Sequence, residues 1–304
     1  MATPALLACD WGTTNLRAWT LDGAGDVIAE RDFPGLGVAG LGPGEAERRF
    51  RDEVRPVLSA QGLPAILCGM VGSTLGWTLA PYVDCPAGLD DLAEHLKIVD
   101  GPDWVRIAPG VKGPGFNGQG DVIRGEETQL FGWLAADPAR RRGRRVVCHP
   151  GTHAKWMVAE DGRLARFVTA MTGELFAVLK AHSVLKSEAP ADDMAAFDEG
   201  LASAGDGSAL AARLFTARAR VVGLGRPAGG TPSYLSGLLI GADVAATPGL
   251  LGIAPDEPVD LLGDPGLCGL YARALRARGV STDIHDGEAA AVAGLFALYR
   301  KARP

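Results

Sequence analysis

The sequence predicts an α/β protein of two similar halves with a cleft between two lobes. Three observations carry that expectation. Residues 5–10 (ALLACD) form a short apolar run that ends in Asp10 and meets a glycine, Gly12. VVCHPG at 146–151 repeats the pattern near the midpoint, and in both halves two further strand-like runs follow. Amphipathic helical segments then alternate with short strands to the end of the chain.

Taken in order, 5–10 reads as a buried strand, 16–21 (LRAWTL) as a second and 27–33, beyond the Gly23–Gly25 turn, as a third. Together they predict an antiparallel meander. Residues 44–60 are charged and amphipathic, hence helical, with Pro56 expected to kink the helix. AILCGMVG at 65–72 is another buried strand running into a glycine turn. Residues 109–121 (PGVKGPGFNGQGD) are too rich in Gly and Pro for regular structure and are expected as a loop. Helix resumes at 126–136. After the strand at 146–151, KWMVAED and RLARFVT pair around Asp161-Gly162. Helices are expected at 174–185, 192–220 (broken near Gly205–Gly207), 232–246, 266–278 and 286–301. Short strands fall at 259–262 and 281–284. The division expected is an N-terminal lobe over 1–135 and a C-terminal lobe over 136–304.

Composition narrows the partners. A chain of 304 residues with 47% apolar and 22% charged residues can build real cores and is not of disordered type. A net charge of −6 gives no footprint for nucleic acid or an anionic membrane. The Arg140–Arg145 run follows Pro138 and reads as a solvated loop. Five cysteines without a CxxC pair, three of them (Cys9, Cys68, Cys148) ending apolar runs, read as buried thiols in a reducing compartment. The N-terminal segment lacks a basic n-region, and the stretches at 234–246 and 289–298 fall short of the roughly 20 residues a bilayer needs. A soluble, cytoplasmic protein is expected.

Four segments carry candidate chemistry. In Asp10-Trp11-Gly12-Thr13-Thr14-Asn15-Leu16-Arg17, a strand delivers a carboxylate to a tight turn. The turn's N–H groups and the hydroxyls of Thr13 and Thr14 can cradle phosphate, and Asp10 can hold Mg²⁺ through water. The competing reading is a polar hairpin turn. In Arg124-Gly125-Glu126-Glu127-Thr128-Gln129, a carboxylate at a helix start could orient a substrate hydroxyl, or could simply complement the helix dipole. Neighbouring glutamates cannot share a helical face, and Glu126 is preferred over Glu127 as the base. In His149-Pro150-Gly151-Thr152-His153-Ala154-Lys155, Gly151 and Thr152 suit a second phosphate clamp with Lys155 as its charge. His153 is either a ligand contact or a structural hydrogen bond. Pro150-Gly151 excludes the helix that a His149/His153 zinc pair would need. Gly263-Asp264-Pro265-Gly266 before a helix could admit a nucleoside face. The G-x-G-x-x-G string at Gly113–Gly118 opens no predicted helix, which argues against dinucleotide binding. The local chemistry supports phosphoryl transfer from a nucleotide to a small acceptor.

DWGTTNLRAW, GMVGSTLGW, RGEETQL, PGTHAKW, MTGEL and SGLLIGA, in that order, resemble the blocks of the 2-dehydro-3-deoxygalactonokinase family. That family belongs to the actin/hexokinase/Hsp70-like (ribonuclease H-like) superfamily of duplicated, two-lobed folds. More distantly, DWGTTNLRA and GEETQLFG look like the phosphate and catalytic segments of glycerol-kinase-type sugar kinases, where the acid is usually Asp rather than Glu. The resemblance implies ATP and Mg²⁺ as cofactors and a sugar acid, 2-dehydro-3-deoxy-D-galactonate, as the acceptor. It implies roles for Glu126 and Asp10 in catalysis, with Asp10 on the metal. Gly12, Thr13, Thr14, Arg17, Gly151, Thr152, His153, Lys155, Gly263 and Gly266 fall on the nucleotide. Arg124, Gly72, Ser73 and Glu127 fall on the substrate side, a guanidinium being suited to a carboxylate. Two other readings stand beside it: a same-fold kinase of another sugar acid or polyol, and a non-catalytic regulator that binds nucleotide or sugar. A homodimer is compatible with the sequence.

Overall fold

A computed structural model describes residues 2–101, 103–187 and 191–302. The strands are β1 (Pro4–Trp11), β2 (Leu16–Asp22) and β3 (Val27–Phe33), followed by the short helices α1 (Glu45–Arg49) and α2 (Arg55–Val57). Then come β4 (Ala65–Cys68), β5 (Tyr82–Asp84), α3 (Leu89–Glu94), β6 (Lys97–Val99), β7 (Val105–Ile107), β8 (Gly110–Gly113), β9 (Asp121–Ile123) and α4 (Glu126–Ala136). The second half runs β10 (Arg144–His149), β11 (Ala154–Glu160), β12 (Arg163–Ala170), α5 (Thr172–His182), α6 (Met194–Ala204), α7 (Leu210–Leu214) and α8 (Thr216–Val222). It ends with α9 (Thr231–Leu250), β13 (Val259–Gly263), α10 (Pro265–Arg276), β14 (Thr282–Asp286) and α11 (Gly287–Ala302).

Two sheets share one plan. The first has the order β3-β2-β1-β4-β7-β6 and the second β12-β11-β10-β13-β14. In the first, β1 to β3 are the expected antiparallel meander, and β4 and β7 continue in parallel from β1. In the second, β13 runs parallel to β10 and β14 parallel to β13. The meander-plus-parallel order repeats, which is the duplication that the two glycine-turn strands foreshadow. Parallel strands are buried on both faces, which is why ALLAC, AILC and VVC are continuous apolar runs rather than alternating ones. Leu7, Cys9, Leu67 and Ile107 belong to one core, and Val146, Cys148, Trp156 and Leu261 to another.

Several local expectations change. The helix over 44–60 forms, but its middle, Phe50–Val54, is a π-type turn just before Pro56, whose missing N–H disrupts regular bonding there. The segment 109–121 is not all loop. Gly110–Gly113 is a strand between β5 and β9 in a three-stranded sheet. Its glycines are tolerated because both neighbours supply ladder bonds. The three-residue strands β5, β6 and β7 and the helix α3 carry too few residues to show a period, and the pattern leaves them unassigned.

The chain forms two compact units. The first holds Met1–Arg144, Ala159–Arg166 and Gly287–Pro304, and the second Arg145–Val158 and Phe167–Asp286. A single cut after residue 135 places the terminal helix with the second half, whereas the compact division places α11 with the first. The cause is packing. The backbones of α4 and α11 touch at Gly132 and Gly294, where neither position has room for a side chain. Trp104 stacks edge-on against Tyr299 at 5.6 Å. Among the described residues no helix is long and apolar enough to cross a membrane.

Candidate active site

In the first unit, three backbone features meet at Asp10. β1 carries Asp10 to its last turn, and Gly12 N–H closes that turn on the Asn15 carbonyl at 2.9 Å. Buried Trp11 anchors the facing segment by donating to the Leu36 carbonyl at 2.6 Å. The N–H groups of Gly37, Val38 and Ala39 then occupy the carbonyls of Thr14, Gly12 and Thr13 at 2.9, 3.1 and 3.1 Å. With its acceptors occupied from behind, the turn leaves Thr13 and Thr14 exposed. The second feature is Gly69 after β4, at φ +87, where a Cβ would come within 3.1 Å of Asp10 Oδ1. The third is Gly125 before α4, at φ +114, where a Cβ would lie 3.3 Å from the Gly69 Cα. Only glycine combines those angles with that approach.

The approach brings Glu126, the first residue of α4, to Asp10. Burial, and after it the Glu126 carboxylate, pushes Asp10 up to about 6, while hydrogen bonds from Cys68 and Gln129 and the charge of Arg17 oppose the shift. A carboxylate that is reluctant to ionise and feels the charge of a second one suits a neighbouring cation. Among the described residues no three His, Cys, Asp or Glu side chains converge as a bare-metal cage. The carboxylate oxygens of Asp10 and Glu126 are hard donors of the kind that hard divalent cations accept.

Glu127 does something else. It is fully buried, accepting from Gly125 N–H at 2.6 Å and from the Thr128 hydroxyl at 3.0 Å. Burial, and after it the Glu126 charge, pushes it up to about 7. Its carboxylate holds the Gly125 turn from inside. Arg124 is also built into the fold. Its guanidinium stacks 4.2 Å from the Tyr82 ring centre, donates to the Ala80 carbonyl at 2.9 Å and approaches the Tyr82 hydroxyl at 3.4 Å. Nη1 is buried without a partner, against Gly72. Ser73 caps its own turn, donating to the Met70 carbonyl at 2.7 Å. Arg17, half-exposed, faces Asp32 at 3.4 Å and Glu288 at 3.7 Å.

In the second unit, β10 ends at His149, and exposed Thr152 follows Gly151 in the turn. The Thr152 carbonyl accepts from Glu174 N–H at 2.8 Å, and His153 Nε2 meets the Glu174 carboxylate at 2.5 Å. That is the structural hydrogen bond weighed for His153. Lys155 is buried and donates to the His153 carbonyl at 3.1 Å, so its ammonium lies beneath the turn as a brace. Gly263, at φ +147, ends β13 next to the His149–Pro150 segment. Asp264 caps α10 by accepting from Leu267 N–H at 2.8 Å.

Beside this turn lies a cavity of about 780 Å³, within the range of small-molecule sites. Gly151 and Gly266 line it, with Phe176, Lys180, Ser236 and Leu270. Gly263 is not among the lining residues. The cavity's walls on α5 and α9 fall partly on the MTGEL and SGLLIGA blocks, to which sequence reasoning gave no site role. Sequence reasoning also missed Gln129, although three residues after Glu126 is the spacing that puts both on one helical face.

Two sheets of one plan, each with a glycine turn after its first strand, make the fold of the actin/hexokinase-like class. The profile of the 2-keto-3-deoxy-galactonokinase family matches residues 10–298, and the chain belongs to that family. It is 34% identical over 298 residues to the 2-dehydro-3-deoxygalactonokinase of Escherichia coli K12, covering 97% of this chain and 98% of that one. A Rhizobium meliloti protein designated a probable 2-dehydro-3-deoxygalactonokinase is 37% identical over 309 residues, covering 98% and 97%. A crystal structure designated as this kinase from Sinorhizobium meliloti superposes with a TM-score of 0.86 at 34% identity, over 98% and 99% of the two chains. The activator of a Clostridium difficile 2-hydroxyisocaproyl-CoA dehydratase, solved with bound ADPNP, shares the fold, at a TM-score of 0.52 and 11% identity.

Proposed function

We propose that this protein is an ATP-dependent kinase that phosphorylates 2-dehydro-3-deoxy-D-galactonate at its 6-hydroxyl in cytoplasmic galactonate catabolism. The observation that carries the chemistry is the Asp10–Glu126 carboxylate pair brought together by Gly69 and Gly125. Phosphoryl transfer asks a protein for positioning and charge more than for covalent help. Glu126 accepts the proton of the attacking hydroxyl, and Asp10, ionised, would hold a Mg²⁺ ion. The ion, when bound, neutralises charge on the transferring phosphate. Thr13, Thr14, Gly151 and Thr152 are the phosphate-gripping positions, each on an open turn, and the cavity beside Gly151 and Gly266 takes the nucleoside. The acidic net charge and the concave cavity support small-molecule partners rather than nucleic acid.

A coupled ADP-release assay over a panel of 2-keto-3-deoxy sugar acids and neutral polyols tests the reading. Turnover should be highest with 2-dehydro-3-deoxy-D-galactonate. Faster turnover with a polyol, or no ADP release with any acid, would overturn it.

A further inference from the structure

The SGLLIGA block of α9 ends one residue before an acidic side chain that the chemistry above does not use. Asp243 is 6% exposed in the middle of that helix. Its Oδ1 accepts from Trp156 Nε1 at 3.0 Å, and its Oδ2 accepts from both the Thr172 hydroxyl at 2.8 Å and the Tyr271 hydroxyl at 2.7 Å. These donors come from β11, α5 and α10. All three donors are neutral side chains. Burying a carboxylate costs several kcal/mol before its partners offset it, and apolar packing of equal volume would be cheaper. Such a network is retained where it holds particular groups in particular places.

The groups it holds are those of the nucleotide side. Thr172 and Tyr271 both line the 780 Å³ cavity, whereas Asp243 and Trp156 do not. Thr172 also opens α5, and the next residue, Gly173, packs on the second glycine turn. A Cβ on Gly173 would strike the Gly151 carbonyl and lie 2.8 Å from the Thr152 Cα. One residue further, Glu174 N–H holds the Thr152 carbonyl. A contact path thus runs from Asp243 through Thr172 to the turn at Gly151–Thr152, and through Tyr271 to the part of the cavity wall that α10 supplies.

We infer that Asp243 is a positioning residue for nucleotide binding, fixing the cavity wall and the adjoining glycine turn in one geometry through Thr172 and Tyr271. The inference rests on the cavity being the nucleotide site. Asp243→Leu leaves all three donors unpaired and should weaken ADP binding about tenfold or more, with the KM for the sugar acid unchanged. Asp243→Asn can serve the same network reversed. Its oxygen accepts from Trp156 and its NH₂ donates to both hydroxyls, so affinity should stay within about threefold of wild type. Thr172→Val and Tyr271→Phe each break one bond and keep the fold measurable should the Leu variant not fold. Each should weaken ADP several-fold, and neither should add its full effect to Asp243→Leu. Trp156→Phe breaks the bond that does not reach the cavity. It should lower the melting temperature and leave ADP affinity alone.

ADP titration calorimetry on the full chain reads all of these. Wild-type affinity in Thr172→Val and Tyr271→Phe, or an equal loss in Trp156→Phe, would overturn the positioning role. Ser236→Phe, which fills the cavity from α9, separates this failure from that of the site itself. If it blocks ADP while the hydroxyl variants stay silent, the Asp243 role alone falls. If ADP still binds, the cavity is not the nucleotide site and both readings fall.

Discussion

Replacing Asp10 by Asn should stabilise the protein at alkaline pH while abolishing its turnover. Asp10 sits between Glu126 and an apolar strand end, and its carboxyl is raised from 3.8 to about 6. A group whose folded value exceeds its unfolded value holds its proton more tightly in the native state. Its favourable contribution is therefore complete below about pH 4 and is lost as the pH rises through about 6. A shift of about two units is worth at most about 3 kcal/mol, and the water that reaches this half-buried position reduces it to about 1–2 kcal/mol. Asn cannot ionise, and its amide can still meet Cys68 and Gln129, so the variant should recover that amount at pH 8 and nothing at pH 4. Urea unfolding at both values measures the difference, and a coupled assay measures turnover. Mg²⁺ should stabilise the wild type at pH 8 and the variant much less, because binding to the native state alone raises its stability. A variant no more stable at pH 8 than at pH 4, relative to wild type, would refute the electrostatic argument. Wild-type turnover would refute the metal role.

The neighbouring side chains should divide sharply. Glu126→Gln should cut turnover by about 10²–10⁴ with ADP affinity retained, as removal of a general base does; unchanged turnover would leave Glu126 a helix-dipole residue. Glu127→Gln should keep most activity and, because the Glu127 carboxyl is raised to about 7, should flatten the loss of stability between pH 5 and 8. If Glu127→Gln proves the inactive variant, the base has been misassigned. Arg124→Lys gives up the stacking on Tyr82 and the planar reach to the Ala80 carbonyl, so calorimetry should show a melting point lower by several degrees. A KM rise confined to the sugar acid, at an unchanged melting point, would instead return Arg124 to the substrate.

Much of the frame follows from local pattern. Continuous apolar runs at ALLAC, AILC and VVC foretell buried strands, and the Asp10–Gly12 and His149–Gly151 turns foretell where they end, because strand burial and glycine turns are local properties. The pairing of Asp10 with Glu126 is legible only as two separate motifs. What joins them is a contact between Gly69 and Gly125, residues 56 positions apart that have no signature beyond being glycine. Tertiary structure also sets the surroundings of three side chains that residue type alone leaves open. Glu127, Arg124 and Lys155 carry charges that suggest ligand contact, yet each turns inward to backbone groups that regular hydrogen bonding leaves unpaired. Asp243 is the opposite case. In sequence it merely interrupts an apolar helix, and only the convergence of Trp156, Thr172 and Tyr271 shows why a carboxylate stands there. By itself the sequence determined the strands, the turns and the residue types available for phosphate and cation. Which of the two neighbouring glutamates is buried against the backbone was decided by the folded chain, since burial and hydrogen-bond partners come from residues that spacing cannot bring together.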